Sequence, residues 1–405
     1  MPKFYAIILS IILIFSFAGC NSENNSSAIY NIEKIDARVT HSNTEFALDI
    51  FKQLNEEDSE QSVFISPLSI ATALTMTYQG AGSTTKEAMA QTLYYKDMKM
   101  EVLNESYTNL LNYLQQVDNK TELNINNSIW IREGEDIKKE FIDTNEEAYN
   151  AYVAELDFSR QDVAARINRW IDEATKGKID QMLKPPISPE VIMYLINAIY
   201  FKGEWAEQFD KKNTFNTEFH AGNGKKINVM MMSKKGEVEY AQGNDYKAIK
   251  QDYGNGKISM YLVLPNEGMP VNDFIADMTP DTWQSIKDSL SPADNVLVRI
   301  PRFTLEYGIK NLNDSLSALG MTEAFSGEAD FSGIREGIFI SRVLHKAMIE
   351  VNEEGSEAAA ATVVEMKESA VENPKTFVAD KPFVFIIEDN ELGTVLFMGK
   401  LWDVD

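Results

Sequence analysis

The stretch Glu353-Glu-Gly-Ser-Glu-Ala-Ala-Ala-Ala-Thr362, which continues as Val363-Val-Glu365, is compatible with two different secondary structures. Glutamate and alanine are strong helix formers, so composition alone predicts a helix over Glu353–Glu365. Gly355 and the β-branched run Thr362–Val364 weaken that prediction without overturning it. The segment therefore has mixed propensity, and the helix and strand interpretations both stay open.

Taken as a strand, the same segment has one uncharged face. Glu357 and Glu365 fall on the other face, toward solvent. A charge on the uncharged face would lose its hydration without gaining a partner if that face entered a packed sheet, at a cost of several kcal/mol. The pattern therefore favours a segment that inserts into a sheet, with an exposed alanine-rich linker as the alternative. With a period of two, the residues of the uncharged face are Ser356, Ala358, Ala360, Thr362 and Val364.

Upstream of this segment the chain begins with helical patterns. Apolar residues between Phe46 and Leu54 lie on one face at helical spacing. Ser66-Pro67 predicts the start of a second helix, because serine can cap it and proline fits its first turn. Thr84 and Glu87 have the spacing of a capping box and predict the start of a third. The first half of the chain is therefore expected to be mainly helical.

Strand patterns dominate the second half. Ile258–Leu264 and Val296–Ile300 are apolar runs that each stop at a proline. Phe383–Ile387 and Thr394–Met398 flank a polar connection and predict a hairpin. No linker long enough to separate domains follows Asn43. Helices followed by strands indicate one α+β domain built around antiparallel sheet.

The charge balance bears on the class of partner. The 405 residues include 62 acidic and 38 basic side chains, which give a formal net charge of −24. A surface this acidic repels phosphate backbones and argues against nucleic acid as a partner. Apolar residues make up 44% of the chain, enough for a large core.

Residues 1–19 have the pattern of a signal peptide. Lys3 precedes an almost unbroken apolar run, Phe4–Ala18, which is shorter than the roughly 20 residues that a membrane-spanning helix needs. The run ends in Phe17-Ala-Gly-Cys20, which resembles the lipobox of bacterial lipoproteins, although Phe17 stands where leucine is usual. Cys20 is the only cysteine of the chain and is therefore the candidate for lipidation.

This interpretation assigns residues 1–19 to a lipoprotein signal peptide and residues 20–42 to the lipidated cysteine and a flexible polar tether. Residues 43–405 form the folded domain. The protein would then be anchored to a membrane of the cell envelope and face the outside or the periplasm. An ordinary signal peptide is the alternative, and the protein would in that case be secreted.

Sequence motifs for catalysis are absent. His41, His220 and His345 do not have metal spacing, and there is no Cys-x-x-Cys pair, which argues against a structural zinc site. The chain has no Gly-x-Ser-x-Gly elbow, and Gly80–Lys86 lacks the spacing of a phosphate-binding loop. Neither a catalytic activity nor a cofactor is therefore expected.

A series of strings resembles, in order, motifs of the serpin family of serine protease inhibitors. The most specific is Asn197-Ala-Ile-Tyr-Phe-Lys-Gly-Glu-Trp205. The resemblance covers the chain from about residue 43 to the C-terminus. It implies one domain of three β-sheets and eight to nine helices, with an exposed reactive loop at about Glu353–Lys381. The other matching strings are Asn43–Phe51, Phe64–Leu74, Gln79–Gly82, Phe331–Gly333, His345–Ala347, Glu353–Thr362 and Lys381–Phe385.

The resemblance also implies a mechanism. A serine protease attacks the loop, forms an acyl-enzyme, and is trapped when the cut loop inserts as a new strand in the central sheet. The small, uncharged inner face of the segment above favours an inhibitor over a non-inhibitory member. The residues that match the family's hinge, where insertion begins, are Glu353, Glu354, Gly355, Ser356, Glu357, Ala358, Ala359, Ala360, Ala361 and Thr362.

Two further groups of residues carry over from the resemblance. Ser66, Ser69, Asn197 and His345 match the shutter, a polar cluster under the central strands that controls opening of the sheet, and the histidine is expected to bond the asparagine. The second group matches the breach, the point where insertion begins. It consists of the aromatic Trp205 and the expected charge pair Arg302 and Glu353.

Family spacing from Gly355 places the cut bond at Ser369–Ala370. A strand from Gly355 to that bond would span roughly 46 Å, at about 3.3 Å per residue. Counting back from Phe383 favours a cut nearer Val371, so the prediction is a window rather than one bond. The other residues of that window are Met366, Lys367 and Glu368.

The window constrains the target protease. Ser369, Ala370 and Val371 suit elastase-like pockets, which we prefer, while Lys367 suits a trypsin-like enzyme and Glu368 a glutamyl endopeptidase. The segment Met100–Val117, which in some serpins carries a basic stripe for heparin, has none here. No heparin-type cofactor is therefore expected. The protein is also expected to be a monomer. The alternatives are a non-inhibitory serpin that acts as a carrier or chaperone, and a surface lipoprotein that binds a ligand.

Overall fold

The computed structural model describes residues 30–356 and 375–404. Nine α-helices lie within these ranges, most of them in the first half of the chain as the helical patterns predicted. They are α1 (Ala37–Glu57), α2 (Pro67–Tyr78), α3 (Ser83–Thr92), α4 (Met100–Leu114), α5 (Lys139–Tyr149), α6 (Val163–Ala174), α7 (Val271–Ala276), α8 (Pro280–Ser289) and α9 (Asn313–Leu316).

Fifteen strands lie in the same ranges, most of them in the second half. They are β1 (Val63–Ile65), β2 (Thr121–Arg132), β3 (Tyr152–Leu156), β4 (Met193–Glu204), β5 (Phe215–His220), β6 (Lys226–Gln242), β7 (Tyr246–Tyr253), β8 (Ile258–Pro265), β9 (Ser291–Pro301), β10 (Phe303–Asn311), β11 (Leu344–Val351), β12 (Gly355–Ser356), β13 (Thr376–Val378), β14 (Phe383–Asp389) and β15 (Thr394–Leu401).

The first helix starts earlier than the sequence boundary at Asn43. A short 3₁₀ helix at Ile32–Lys34 precedes it, and α1 begins at Ala37. The carboxylate of Asp36 caps α1 by accepting a hydrogen bond from the backbone nitrogen of Arg38 at 2.9 Å, which satisfies one of the free amides of the first turn. Residues 30–42, assigned to the flexible tether from the sequence, are therefore folded against the domain or lead directly into it.

The two other predicted helix starts have different outcomes. Ser66 caps α2 as predicted, since its hydroxyl accepts from the backbone nitrogen of Ser69 at 3.2 Å and Pro67 occupies the first turn. The capping box at Thr84 and Glu87 is wrong. Helix α3 starts at Ser83 after Gly82, and the hydroxyl of Thr84 instead donates to Glu323 at 2.8 Å.

The described strands form three sheets, so the predicted α+β fold is confirmed. The largest has nine strands in the order β1-β15-β14-β8-β7-β6-β9-β13, with β5 paired to β6. It contains the predicted hairpin, β14 and β15, whose antiparallel register sets Phe383 opposite Leu401. The second sheet has the order β12-β4-β2-β3, and the third consists of β10 and β11.

The main core lies where α1 and α2 pack against β15 and β4. Phe64, on β1, stacks between Phe385 and Phe397, with ring centres 5.8 and 5.5 Å apart. Each of these rings is buried, and burial of one such side chain stabilises the fold by about 1.5–3 kcal/mol. The core thus fixes α2 beneath the strands that carry the candidate site. Among the described helices, none combines the length and the apolar character that crossing a bilayer requires.

Candidate functional site

The site lies between two neighbouring strands, β4 and β11, that are not hydrogen-bonded to each other. Strand β4 pairs with β2 and β12, and β11 pairs with β10; within the described residues, no pairing joins β4 to β11. The two-residue strand β12 follows β11 after a tight turn and pairs antiparallel with the end of β4. Gly355 faces Glu204, and Ser356 faces Gly203. A strand added between β4 and β11 has therefore already begun.

Gly355 is the residue that permits the tight turn. Its φ of +147° lies in a region that side chains rarely adopt. A Cβ atom there would lie 2.0 Å from the carbonyl oxygen of Gly203, closer than any real contact. The backbone of β12 therefore approaches β4 as closely as it does because position 355 is glycine.

Ser356 is held by a polar contact on the buried side. Its hydroxyl lies 2.7 Å from the hydroxyl of Tyr253, and Ser356 is only 2% exposed. The Tyr253 ring stacks on Trp205, with ring centres 4.4 Å apart and planes 12° from parallel. The indole nitrogen of Trp205 donates to the carbonyl of Asn352 at 2.9 Å. These contacts direct the side chain of Ser356 toward the core.

Glu353 and Arg302, the charge pair expected at the breach, are in contact. The Arg302 Nε donates to the two carboxylate oxygens of Glu353 at 2.8 and 2.7 Å. Glu353 is 1% exposed, and the hydroxyl of Thr214 also donates to it. Burial alone would raise the pKa of this carboxyl, but the hydrogen bonds from Arg302 and Thr214 outweigh it and leave the pKa lowered. Glu353 is therefore a buried, ionised anchor for the start of the loop.

Glu354 is anchored in a different way. Its carboxylate pairs with Lys211, and its carbonyl accepts from the backbone nitrogen of Trp205 at 2.8 Å. Its own backbone nitrogen donates to the side chain of Asn352 at 2.9 Å. The four residues from Glu353 to Ser356 are thus each fixed by at least one contact outside their own segment.

The shutter residues lie together beneath the central strands. His345, on β11, accepts a hydrogen bond at Nε2 from the backbone nitrogen of Ser66 at 3.2 Å. The hydroxyl of Ser66 donates to the carbonyl of Leu396 on β15 at 2.8 Å. Complete burial lowers the pKa of His345 to about 4, so the imidazole is neutral and able to accept at neutral pH. This links β11 to the start of α2.

Asn197 makes a separate link on the β4 side. The hydroxyl of Ser69 donates to its side-chain oxygen, and its amide donates to the side-chain oxygen of Asn127 at 2.6 Å. The expected bond between His345 and Asn197 is wrong, because His345 bonds Ser66, the cap of α2, and Asn197 bonds Ser69 within α2. The reason is that β4 and β11 are not paired, so each strand reaches α2 independently.

Two cavities lie in the gap between β4 and β11. A small one of about 30 Å³ lies directly beyond Ser356, lined among others by Ile199, Phe201 and Ile349. A larger one of about 400 Å³ lies nearer the shutter and reaches the side chains of Asn197 and His345. Its lining is mostly apolar, with contributions from α2, β4 and the segment before β11. The gap between β4 and β11 is therefore incompletely filled by side chains.

The far end of the loop is fixed to the nine-stranded sheet. Strand β13 pairs parallel with β9, setting Thr376 opposite Leu297 and Val378 opposite Arg299. Phe377 is fully buried there. The two ends of the loop therefore belong to two different sheets.

The remaining predicted site residues lie outside the described residues. These are the lipidation site Cys20, the hinge residues Glu357, Ala358, Ala359, Ala360, Ala361 and Thr362, the predicted cut bond Ser369–Ala370, and the rest of its window, Met366, Lys367, Glu368 and Val371.

Sequence reasoning missed several residues of the site. Tyr253 and Asn352 hold the start of β12, Lys211 and Thr214 pair with the two glutamates, and Asn127 extends the shutter. None of them stands in a motif that carries chemistry by itself. Asn352 alone had a local signal, because it directly precedes the Glu353-Glu-Gly355 turn.

Comparison with known proteins agrees with this arrangement. An uncharacterized serpin-like protein of Methanosarcina acetivorans is 33% identical over 99% of this chain and 98% of its own. The crystal structure of the thermophilic serpin tengpin in the native state superposes with a TM-score of 0.83, at 31% identity, covering 91% of this chain and 95% of that one.

A third similarity concerns a protein that binds a small molecule. The structure of thyroxine-binding globulin in complex with thyroxine superposes with a TM-score of 0.81 at 26% identity, covering 90% of this chain and 99% of that one. A sequence model of the family described as Serpin (serine protease inhibitor) matches residues 41–404. With nearly the whole folded part of the chain matched, the protein belongs to the serpin family.

Proposed function

We propose that this chain inhibits serine proteases as a suicide substrate. The observation that carries the proposal is the pairing of β12. Gly355 and Ser356 already pair with β4 at one end of the incompletely filled gap between β4 and β11. Cleavage of the loop would release its first half to continue that pairing as a full strand. A protease still attached as an acyl-enzyme would be carried along with it.

The register of β12 predicts which residue of β4 each loop residue would face after insertion. Continuing the pairing of Gly355 with Glu204 and of Ser356 with Gly203 would set Ala358 opposite Phe201, Thr362 opposite Asn197 and Met366 opposite Met193. Met193 is the first residue of β4, so pairing with β4 would end at Met366, a few residues before the predicted cut at Ser369–Ala370.

The side chains available on the inner face fit this path. Ser356 points toward the core, so every second residue after it would do the same. Ala358 would meet the ring of Phe201 beside the 30 Å³ cavity, where only a small side chain fits. Val364 would reach the apolar 400 Å³ cavity near Leu195. Size and polarity along the loop thus match the space along the path.

The test is incubation of the purified protein with elastase-like, trypsin-like and glutamyl proteases, followed by denaturing electrophoresis and intact-mass analysis. We expect a denaturation-resistant complex and a released C-terminal peptide whose mass identifies the cut bond. An elastase-like target is preferred because Ser369, Ala370 and Val371 suit its pocket. Cleavage in the loop that leaves every protease fully active would contradict the proposal.

The second candidate is a non-inhibitory serpin that carries a small molecule. Thyroxine-binding globulin, a structural neighbour, binds thyroxine, and the 400 Å³ apolar cavity of this chain has a volume suited to a small ligand. The small residues on the inner face of the loop favour the inhibitor, because a carrier does not need them. Loop cleavage without complex formation would favour the carrier.

We also propose that the inhibitor is attached to a membrane through lipid on Cys20. The support is the sequence Phe17-Ala-Gly-Cys20 after an apolar run, with no other cysteine in the chain. The mass of the N-terminal peptide of the mature protein would test it. A peptide beginning at Cys20 with a diacylglyceryl adduct is expected, whereas an unmodified N-terminus elsewhere would favour the secreted form.

A further inference from the structure

Three cationic side chains lie beside the point where the far end of the loop joins the sheet. Lys212 and Lys235 line the same open depression of about 320 Å³, together with Phe215 and Leu297. The guanidinium of Arg299 lies 5.1 Å from the ring centre of Phe215. The carbonyl of Lys375 accepts a hydrogen bond from the backbone nitrogen of Leu297 at 2.9 Å. The ammonium of Lys375 itself lies 5.4 Å from the ring centre of Tyr240, further along β6. We call Lys212, Lys235 and Arg299 the basic patch.

The charges of the basic patch are not neutralised by the part of the chain that the structure describes. None of the three forms an ion pair there, whereas the neighbouring Lys211 and Lys234 each pair with a glutamate. Glu237 and Asp294, at the bulge between β6 and β9, do not pair with the patch. The Nε of Arg299 is buried and has no hydrogen-bond partner among the described residues. On a chain with a net charge of −24, this is a local concentration of positive charge.

The patch lies within reach of any protease bound to the loop. Lys375 is the first described residue after the predicted cut, and Ala370 is five residues before it, so the cut bond is at most about 20 Å away along the chain. A protease of about 230 residues has a radius of gyration of about 17 Å. Such a protein, held at the cut bond, must cover surface on this side of the loop.

We propose that the basic patch is a docking surface for an acidic face of the target protease. That face would lie next to the part of the active-site cleft that binds the residues after the cut bond. The proposal rests on the proposed function in that the loop must be a protease target. The patch combines cations with apolar surface: Phe215 is 38% exposed beneath Arg299, and Leu297 lines the same depression. Mixed aromatic and arginine surface is typical of protein–protein interfaces. A sulfated polysaccharide is the alternative partner that the test must separate.

The charges would act mainly on the rate of association. Complementary charges raise association rate constants by about 10- to 1,000-fold, and the effect falls as salt shortens the Debye length to about 8 Å at physiological ionic strength. Trapping after the cut depends on the loop and the sheet, not on the patch. The patch should therefore change how fast the loop is attacked, without changing how many attacks end in a trapped complex.

The experiment compares the unaltered protein with the double variant Lys212→Glu/Lys235→Glu. The control is Lys96→Glu/Lys99→Glu, two exposed lysines in the connection between α3 and α4 that form no ion pair with a described residue. Both double variants change the net charge by the same amount. The second-order rate constant of attack on the loop, by inhibition or by cleavage, is measured between 50 and 300 mM NaCl with the anionic and cationic isoforms of trypsin.

We expect the patch variant to react at least about 10-fold more slowly with anionic trypsin at 50 mM NaCl, with a flatter salt dependence. The control should stay within about twofold, and cationic trypsin should not lose rate. Equal rates for all three proteins with the anionic enzyme would overturn the proposal. Added heparin that accelerates the unaltered protein but not the patch variant, with no effect of the variant on heparin-free rates, would assign the patch to a polysaccharide instead.

The rate of loop attack is defined even if no protease is trapped. Absence of a stable complex would therefore refute the proposed inhibitor function while leaving the docking proposal to be decided by the rates. Conversely, trapping with rates insensitive to the patch would keep the inhibitor function and reject the docking surface.

Discussion

The hydroxyl of Ser356 lies 2.7 Å from that of Tyr253, at the point where the loop passes between β4 and β11. Tyr253 is fully buried and its ring stacks on Trp205, so the contact fixes the direction in which Ser356 points. Because side chains alternate along a strand, this one contact sets which loop residues would enter the core on insertion. The predictions below depend on that assignment.

A charge on the inner face of the loop should prevent trapping. In the variant Ala358→Arg the guanidinium would face Phe201 in the core and would be desolvated without a partner, at several kcal/mol. We expect the protease to cut this variant and to escape, so that many moles of the protein are consumed per mole of protease inhibited.

The matched control is Ala359→Arg, which places the same side chain one residue further, on the solvent face. Its stoichiometry of inhibition, measured by titration of residual protease activity, should stay within about twofold of the unaltered protein. Equal loss of inhibition in both variants would show that the assignment of faces is wrong.

Tyr253 and Ser356 should be energetically coupled. Tyr253→Phe leaves the buried hydroxyl of Ser356 without its partner, and a net hydrogen bond contributes about 0.5–1.5 kcal/mol to stability. Equilibrium urea unfolding of Tyr253→Phe, Ser356→Ala and the double variant gives the coupling free energy directly. We expect about 1 kcal/mol, and additivity of the two single changes would mean that the contact does not stabilise the native state.

The pair of Arg302 and Glu353 should make stability depend on pH in the acidic range. The pKa of Glu353 is lowered in the folded protein, so its contribution is present above the ordinary value of 4.5 and is lost as the pH falls through the folded pKa. In Arg302→Gln only the weaker opposition from Thr214 and the backbone would remain, and we expect burial to raise that pKa instead. We expect a loss of about 1.5–3 kcal/mol in the free energy of unfolding at pH 7, since hydrogen bonds to charged groups contribute that much.

The difference between Arg302→Gln and the unaltered protein should shrink as the pH falls from the raised pKa of Glu353 in the variant through its lowered pKa in the unaltered protein, because protonation of Glu353 makes the lost partner less important. The control is Lys211→Gln, which removes a more exposed cation from the neighbouring Glu354 and should cost less. Unfolding curves from pH 3 to 7.5 test both statements, and a pH-independent difference for Arg302→Gln would contradict the first.

His345 should add a second pH dependence. Its pKa is lowered to about 4 in the folded protein from an ordinary value of 6.5, because it is completely buried. Stability from the neutral imidazole is therefore full above pH 6.5 and is lost as the pH falls toward 4, by roughly 3 kcal/mol. In His345→Gln this loss between pH 6.5 and 4 should disappear, as measured by urea unfolding. If His345→Gln lost as much stability between pH 6.5 and 4 as the unaltered protein does, the imidazole would not be the cause of that loss.

Much of the fold could be predicted from local patterns. The hairpin of β14 and β15, the Ser66 cap of α2 and the helix-to-strand order depend on periodicity and turn chemistry that short segments contain. The capping box at Thr84 could not be judged in this way, because the competing acceptor, Glu323, lies far along the chain. The early start of α1 was missed because the few apolar residues of 30–42, such as the buried Ile35 and Val39, were interpreted together with the polar segment before them as a tether.

For the candidate site, too, local patterns predicted some residues and missed those that depend on contacts between distant strands. Glu353, Arg302 and the shutter residues were named from the resemblance of short strings. Arg302 contacts Glu353 in the structure, whereas His345 and Asn197 bond Ser66 and Ser69 separately. The partner of His345 was wrong, and Tyr253 was missed, because both depend on how separate strands meet in the sheets. No signal within ten residues of Tyr253 indicates Ser356 as its partner, since the pairing of β12 with β4 brings them together.

The most direct test of the account compares the thermal unfolding of the intact protein with that of the protein cut once in the loop. Insertion of the released segment would add about ten backbone hydrogen bonds at about 1 kcal/mol each, and we therefore predict a rise in Tm of about 10 °C or more after cleavage. The variant Ala358→Arg, cut in the same way, should show a much smaller rise. An unchanged or lower Tm for the cleaved unaltered protein would contradict insertion of the loop between β4 and β11, and with it the proposed mechanism of inhibition.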